Sequence, residues 1–159
     1  MQAELAKQHP KRTIDIVVAD ASGQDDKYSV VREKVESLPG KLTVLVNNIG
    51  GIPTYPQYAP LTDTSHEHID VQININSRFT THVTKALLPT LKANTPSIVL
   101  NFGSTGALVG MPYIVTYASN KSYVHNFNRS LKAEILAEGI AGLSVLGFII
   151  GNCSSAGNK

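Results

Sequence analysis

Four short apolar runs, separated by longer amphipathic segments, constrain the fold of this 159-residue chain more than any other feature. The runs are aliphatic or β-branched, and they predict buried strands at residues 13–19, 42–46, 97–103 and 143–150. Helical periodicity between them completes a strand–helix alternation, which predicts right-handed crossovers and a parallel sheet. We therefore expect an α/β fold in a single domain spanning residues 1–159.

Three amphipathic segments predict the main helices. The first covers residues 25–38, the second runs from a cap at Asp63 or Thr64 to about residue 91, and the third covers about residues 115–138. Gly139 follows the third helix and suits a left-handed cap. The predicted inward-facing residues of the second and third helices are Ile69, Ile73, Phe79, Val83 and Leu87, then Val124, Phe127, Leu131 and Ile135.

Composition and charge exclude several classes of function. A content of 42% hydrophobic and 16% charged residues is typical of a folded domain, and a net charge of +2 is too small to indicate a nucleic-acid surface. The one cysteine, Cys153, excludes an internal disulfide, and no His/Cys cluster has zinc spacing. No apolar run approaches about 20 residues and no signal peptide opens the chain, so we expect a soluble, cytoplasmic product.

Ser104, Tyr117 and Lys121 form the strongest candidate for chemistry. Tyr117 and Lys121 are four residues apart, so on a helix they share one face, and the ammonium favours the phenolate form of the phenol. Such a phenol can give a proton to a carbonyl oxygen or take one from an alcohol. Ser104 ends a predicted strand, where open α/β sheets keep their sites. The alternative interpretation of the Tyr-x-x-x-Lys pair is an ordinary surface pair.

Two further segments follow predicted strands. Asp20-Ala-Ser-Gly23 follows the first strand, and Asn47-Asn-Ile-Gly50 follows the second. The loop from residue 52 to residue 63 carries three prolines and two tyrosines. It is interpreted either as a substrate-facing loop or as a stiff connection.

These motifs together resemble the short-chain dehydrogenase/reductase family. Asn47-Asn-Ile-Gly50 resembles its Asn-Asn-Ala-Gly motif, and Ile73-Asn-Ile-Asn-Ser-Arg-Phe79 resembles its catalytic-asparagine segment, with Asn74 in the matching position. Ser104 and the Tyr117-x-x-x-Lys121 pair match its serine and its Tyr-x-x-x-Lys motif. The strings look most similar to the branch of very-long-chain 3-oxoacyl-CoA reductases and 17β-hydroxysteroid dehydrogenases. The resemblance implies a Rossmann-like doubly wound fold.

The resemblance also implies roles for the four catalytic candidates. Tyr117 would be the acid/base, and Ser104 would hydrogen-bond the substrate carbonyl. Lys121 would favour the Tyr117 phenolate and bind the nicotinamide ribose. Asn74 would hold a water that links Lys121 to solvent; a role as a helix cap or in bracing the hydrogen-bond ladder is the alternative. The implied reaction interconverts a ketone and a secondary alcohol, with a 3-oxoacyl-CoA or a steroid as candidate substrates.

The implied cofactor is NAD(P)(H), with NADP(H) favoured over NAD(H). Tyr117 and Lys121 would contact it at the nicotinamide end, and Asp20 resembles the acid that contacts adenine. Asn47 would steady the strand end. Gly50 would let the backbone approach the nucleotide. Asn152 stands where the family has a threonine that contacts nicotinamide.

The sequence departs from the family pattern at both ends. The Gly-rich turn that seats the pyrophosphate is missing, so we expect an incomplete sheet with a gap between the strands at residues 13–19 and 42–46. Gly147-Phe148 replaces the usual Pro-Gly. A second hypothesis is therefore a catalytically silent fragment that acts as an interaction module. In relatives the two long helices pair across subunits, which makes a homo-oligomer an expectation, and a full-length form would be compatible with the endoplasmic reticulum membrane.

Overall fold

Three parallel strands form the centre of the fold in a computed structural model that describes residues 2–25 and 27–151. The strands are β1 (Val44–Asn47), β2 (Ser97–Ser104) and β3 (Leu143–Ile150), and β2 lies in the middle. Their register pairs Val44 with Ile98 and Ser97 with Leu143. Three of the four predicted strands and their parallel arrangement are thus confirmed.

Helices connect these strands in the predicted alternation. The elements before the second strand are α1 (Gln2–Gln8), α2 (Tyr28–Ser37), α3 (His66–Ile73) and α4 (Phe79–Ala93), and α5 (Val115–Ala137) joins β2 to β3. A π-helical turn, Asn74–Arg78, joins α3 to α4. No helix in the described ranges is long and apolar enough to cross a lipid bilayer.

The prediction of a strand at residues 13–19 is wrong. This segment makes no ladder in the structure, and Val18 is 92% exposed. It contacts helices instead: Gln2 of α1 donates to the Ile14 carbonyl at 2.8 Å, and Lys34 of α2 lies 3.2 Å from Asp15. A β-branched run becomes a strand only where a neighbouring strand accepts its backbone hydrogen bonds. Among the described strands, β1 pairs only with β2, and none pairs with this segment.

The hydrophobic core lies between one face of the sheet and helices α4 and α5. Leu45, Val99 and Val145 point from the three strands into this layer. The helices contribute their own buried residues, which are Val83, Leu87 and Leu91 from α4 and Leu131 and Ile135 from α5. Burying each such side chain stabilises the fold by about 1.5–3 kcal/mol.

The opposite face of the sheet is open in the described structure. Val44 and Val46 of β1 are each 50% exposed, and Phe148 of β3 is 41% exposed. Phe102 stacks on Phe148 on this face, with ring centroids 5.1 Å apart. This exposed apolar strip is consistent with the incomplete α/β sheet that the sequence predicts.

The predicted helix from residue 63 or 64 to residue 91 is built from separate pieces. Its cap is Ser65, whose hydroxyl accepts from the His68 N–H at 3.2 Å, and not Asp63 or Thr64. Ile73 is 41% exposed instead of buried. The reason is the π-helical turn, which breaks the 3.6-residue period, so the apolar stripe of α4 does not continue into α3.

The end of α5 follows the prediction closely. Val124, Leu131 and Ile135 are buried along one face. Gly139 has φ +67°, and the Ile140 N–H donates to the Ile135 carbonyl at 3.2 Å. This left-handed cap ends the helix and turns the chain into β3.

Candidate active site

Ser104 and Tyr117 face the same space at the carboxyl end of β2. Ser104 is the last residue of that strand, and its hydroxyl accepts from the Gly106 N–H at 3.2 Å. A Cβ at Gly106 would stand 3.6 Å from Ser104 Oγ and 3.7 Å from Tyr117 Cε1. Gly106 thus lies beside both the Ser104 hydroxyl and the Tyr117 ring.

Lys121 lies one turn along α5 and is buried, with 6% of its surface exposed. Its Nζ donates to the Phe102 carbonyl at 3.3 Å and lies 5.8 Å from the centroid of the Tyr117 ring. Within residues 2–25 and 27–151, no ion pair joins it to a carboxylate. Burial lowers the pKa of Lys121 below that of an ordinary lysine, because removing water disfavours the ammonium.

Asn76 stands beside Lys121 and was not predicted as a site residue. It is completely buried, donates to the Gly51 carbonyl at 2.8 Å and accepts from the Gly51 N–H at 2.9 Å. A Cβ at Gly50 would stand 2.6 Å from Lys121 Nζ and 2.8 Å from Asn76 Oδ1. The ammonium and the amide thus close on the same glycine, which adopts φ +146°.

Asn74 points to a different part of the molecule. Its Nδ2 donates to the Ser22 carbonyl at 2.7 Å, in the loop that carries Asp20. The structure therefore brings Asn76, rather than the predicted Asn74, next to Lys121. The repeated Ile-Asn-Ile-Asn string offers two asparagines two residues apart, and only the course of the π-helical turn decides which of them faces α5.

Asn47 lies inside the sheet layer at the end of β1. Its Nδ2 donates to Asn101 Oδ1 at 2.8 Å and to Thr84 Oγ1 at 2.9 Å. The side chain thereby ties β1 to β2 and to α4, just below the Gly50 loop.

Asp20 lies at the surface, in the turn that ends the residue 13–19 segment. Its carboxylate accepts from the Ser22 N–H at 2.9 Å and from the Ser22 hydroxyl at 2.7 Å. These two donors lower the pKa of Asp20, since they stabilise the charged form.

At the other end of the site, Gly147 lies against the amide of Asn128. A Cβ at Gly147 would stand 2.6 Å from that amide, so a larger residue at this position would require the Asn128 side chain to shift. Asn152, the predicted nicotinamide contact, lies outside the described residues.

A cavity of about 540 Å³ opens between these elements. Gly50, Ser104 and Tyr117 line it on one side. The loop from residue 52 contributes Ile52, Pro53, Gln57 and Tyr58 on the other side. The loop is also tied to the segment that precedes α5, since the Ala59 N–H donates to the Tyr113 carbonyl at 3.0 Å. This arrangement favours the substrate-facing interpretation of the loop.

The sequence profile of the short chain dehydrogenase family matches residues 1–156. This chain is a member of that family. The geometry above, with a serine, a tyrosine and a lysine at the carboxyl end of a parallel sheet, agrees with the match.

The most similar relatives include very-long-chain 3-oxoacyl-CoA reductases. The protein of that name from Anas platyrhynchos is 31% identical over 147 residues, which cover 92% of this chain and 46% of the relative. The one from Kluyveromyces lactis is 29% identical over 151 residues, 91% of this chain and 42% of the relative. The chain thus spans about half the length of the relatives that it matches.

Solved structures share the fold. A short chain dehydrogenase from Salmonella enterica serovar Typhi superposes with a TM-score of 0.85 at 16% identity, covering 99% of this chain and 62% of that one. An NADPH-bound short chain oxidoreductase from Pseudomonas aeruginosa gives a TM-score of 0.83 at 22% identity, covering 98% and 58%. The Rossmann-like α/β fold is therefore confirmed.

Proposed function

We propose that this chain carries the catalytic centre of an NAD(P)(H)-dependent oxidoreductase that interconverts a ketone and a secondary alcohol. The observation that carries the proposal is the convergence of Ser104 and Tyr117 on one cavity, with the Lys121 ammonium 5.8 Å from the phenol ring. A proton donor, a second hydroxyl donor and a buried cation are the groups that a carbonyl reduction needs.

In the direction of reduction, the substrate carbonyl oxygen lies between the two hydroxyls. Ser104 donates a hydrogen bond to that oxygen and stabilises the negative charge that develops on it. A nicotinamide cofactor held beside Tyr117 and Lys121 would supply the hydride for the carbonyl carbon. The Tyr117 hydroxyl gives its proton to the oxygen, which completes the alcohol, and the Lys121 ammonium stabilises the phenolate that remains. Oxidation of an alcohol follows the same steps in reverse.

Asn76 takes the role that the sequence suggested for Asn74 in this proposal. Its Nδ2 already donates to the Gly51 and Gln72 carbonyls, so Oδ1, which adjoins Lys121 at Gly50, would be the atom that orders a water returning a proton to Lys121. Its two hydrogen bonds to Gly51 fix the loop against which the ammonium packs.

The residues around Lys121 fit the nicotinamide ribose end of a cofactor. Gly50 presents bare backbone against Lys121 Nζ, where a Cβ would collide, and Gly50 also lines the cavity, so a ribose bound there would meet backbone and not a side chain. Asp20 is the residue proposed for the adenine end, and Asn47 supports the strand between the two ends. We expect NADPH to bind more tightly than NADH.

We propose a 3-oxoacyl-CoA as the first substrate to test. The two relatives described above carry the name very-long-chain 3-oxoacyl-CoA reductase, and the loops around the cavity expose apolar side chains suited to an acyl chain. Tyr55 is 88% exposed, Tyr58 68% and Val109 65%. A hydroxysteroid is the second substrate class to test.

The test measures NADPH binding and the absorbance of reduced nicotinamide with a long-chain 3-oxoacyl-CoA. It uses this chain and a form extended upstream with the Gly-rich turn of a relative. We expect the extended form to turn over and the shorter form to bind NADPH more weakly. Tyr117→Phe should lower turnover about a thousandfold and leave NADPH affinity nearly unchanged. Tyr123→Phe, on an exposed part of the same helix, is the control.

The second candidate function is an interaction module without catalysis. The open apolar face of the sheet, with Val44, Val46 and Phe148 exposed, favours it. It would replace the first proposal if neither form bound NADPH or turned over a substrate. Full turnover by Tyr117→Phe in the extended form would instead contradict the acid/base role of Tyr117.

A further inference from the structure

The buried side-chain amide of Asn74 forms a hydrogen bond with a loop that is remote in the sequence. Its side chain is 5% exposed, and its Nδ2 donates to the Ser22 carbonyl at 2.7 Å across 52 residues of chain. Burying an amide is costly unless it is hydrogen-bonded, so this bond is the reason that the side chain can face inward.

A chain of hydrogen bonds links Asn74 through Ser22 to the Asp20 carboxylate. Ser22 is held by Asn74 through its carbonyl, and it donates to Asp20 through both its N–H, at 2.9 Å, and its hydroxyl, at 2.7 Å. Ala21 between them is buried, with 6% exposed, so the turn is fixed on the body of the protein while its carboxylate stays at the surface.

The neighbours of Asn74 show that this turn of helix holds several loops at once. Gln72 donates to Thr54 Oγ1 at 3.2 Å, and Asn76 makes its two bonds to Gly51. Three amides that alternate along the end of α3 and the π-helical turn thus reach the substrate-facing loop, the Asp20 turn and the glycine loop, respectively.

We infer that Asn74 is a positioning residue for the Asp20 carboxylate, and thereby for the adenine end of the cofactor. The second half of this inference rests on the proposed function, and the first half does not. Asn74 then positions the adenine end of the site, and Asn76 positions the proton-transfer end.

A first experiment measures the pKa of Asp20 in the absence of any ligand. The two Ser22 donors lower the pKa of Asp20, with a smaller contribution from Lys27, while its slight desolvation opposes them. Replacing Asn74 by leucine removes the anchor of Ser22 at nearly constant volume and charge. We expect the pKa of Asp20, followed by carboxyl-carbon NMR, to rise towards its ordinary value in Asn74→Leu. Asn126→Leu, at an exposed position on α5, should leave it unchanged.

A second experiment compares two ligands of the extended form. Asn74→Leu should weaken NADPH binding about fivefold, the worth of one hydrogen bond. It should leave reduced nicotinamide mononucleotide, which has no adenine, unchanged. Asn76→Leu should weaken both ligands, because Asn76 holds the Gly51 loop.

The possible outcomes distinguish the positioning of Asp20 by Asn74 from the proposed function. An unchanged Asp20 titration in Asn74→Leu overturns the inference whatever the ligands do. A shifted titration with no binding of NADPH by the wild-type protein supports the positioning of Asp20 and counts against the proposed function. If both Asn74→Leu and the smaller change Asn74→Ala lose the fold by circular dichroism, Asn74 is purely structural and the inference is overturned.

Discussion

The two ends of the parallel sheet are packed with opposite chemistry. At the amino end, the inward-facing residues are mostly apolar: Leu143 of β3 is buried, the helix residue Leu91 is completely buried in the same core, and the one buried hydroxyl described there, Ser97, donates to the Leu91 carbonyl at 2.7 Å. At the carboxyl end, the inward-facing residues are Asn47 and Asn101, and Lys121 is buried above them. One helix layer covers both ends, so the difference lies in the side chains and not in the fold.

This difference shows how the fold supports a costly site. Each apolar side chain at the amino end adds stability, whereas each amide or ammonium at the carboxyl end must recover its desolvation cost through a specific hydrogen bond. Within the described residues, every buried side-chain nitrogen and oxygen has a hydrogen-bond partner. At the polar end, each buried group therefore depends on hydrogen bonds of specific geometry. At the apolar end, substitutions are tolerated at a cost in stability set by the change in side-chain volume.

The largest effect is expected at the apolar end. Ile135→Ala should destabilise the protein by about 3 kcal/mol, because it leaves a cavity in the core where Ile135 is 2% exposed. Leu136→Ala, at a residue that is 69% exposed, is the matched control and should change stability by less than about 0.5 kcal/mol. Urea unfolding measures both. Equal effects would show that the helix layer is not the core of the fold.

A smaller effect is expected from crowding the polar end. Gly50→Ala should cost about 2 kcal/mol, since Gly50 has φ +146° and an added Cβ would stand 2.6 Å from Lys121 Nζ. Gly110→Ala is the control, because nothing lies within 4 Å of a Cβ there. A stable Gly50→Ala protein with unchanged NADPH affinity would contradict the tight packing of glycine, lysine and amide.

The smallest effect is a change in pH dependence. Burial lowers the pKa of Lys121 in the folded state, so the folded protein loses this proton at a lower pH than the unfolded chain does. Stability should therefore gain from this group as pH rises from the lowered pKa towards the ordinary 10.5. Lys121→Met should remove that gain, so its stability should rise less than that of the wild type between neutral pH and a pH near 10.5.

Urea midpoints at the two pH values measure the slope for Lys121→Met. Lys132→Met, at an exposed residue on the same helix, should keep the wild-type slope. If Lys121→Met kept it as well, the lysine would be solvated and the polar end less buried than its geometry indicates.

Elements with a single clear period were predictable from the sequence. The strand at residues 143–150 and the buried face of α5 have the predicted bounds and residues, because local pattern and tertiary packing agree there. The segment at residues 13–19 has strand composition but forms no strand, since composition cannot supply the neighbour that pairs with it.

The site was predictable in its residue types more than in its placement. The resemblance pointed to Ser104 and Tyr117, and the structure brings both to one cavity. The sequence pointed to Asn74 as the asparagine beside Lys121, whereas the structure places Asn76 there and directs Asn74 to Ser22. Which asparagine lies beside Lys121 depends on the winding of one turn of helix, which sequence spacing does not reveal.

That winding has a consequence for the whole helical rod from His66 to Ala93. A wide turn holds about one residue more than an α-helical turn, and one residue corresponds to about 100° of rotation. The π-helical turn Asn74–Arg78 thus shifts the helical register between α3 and α4. As a result, Gln72 and Asn76 face the protein interior, as Val83 and Leu87 do. Deleting Ile75 alone would remove this shift in register. It would rotate α3 relative to α4 by about a quarter of a turn and break the hydrogen bonds of both Asn74 and Asn76 in one step.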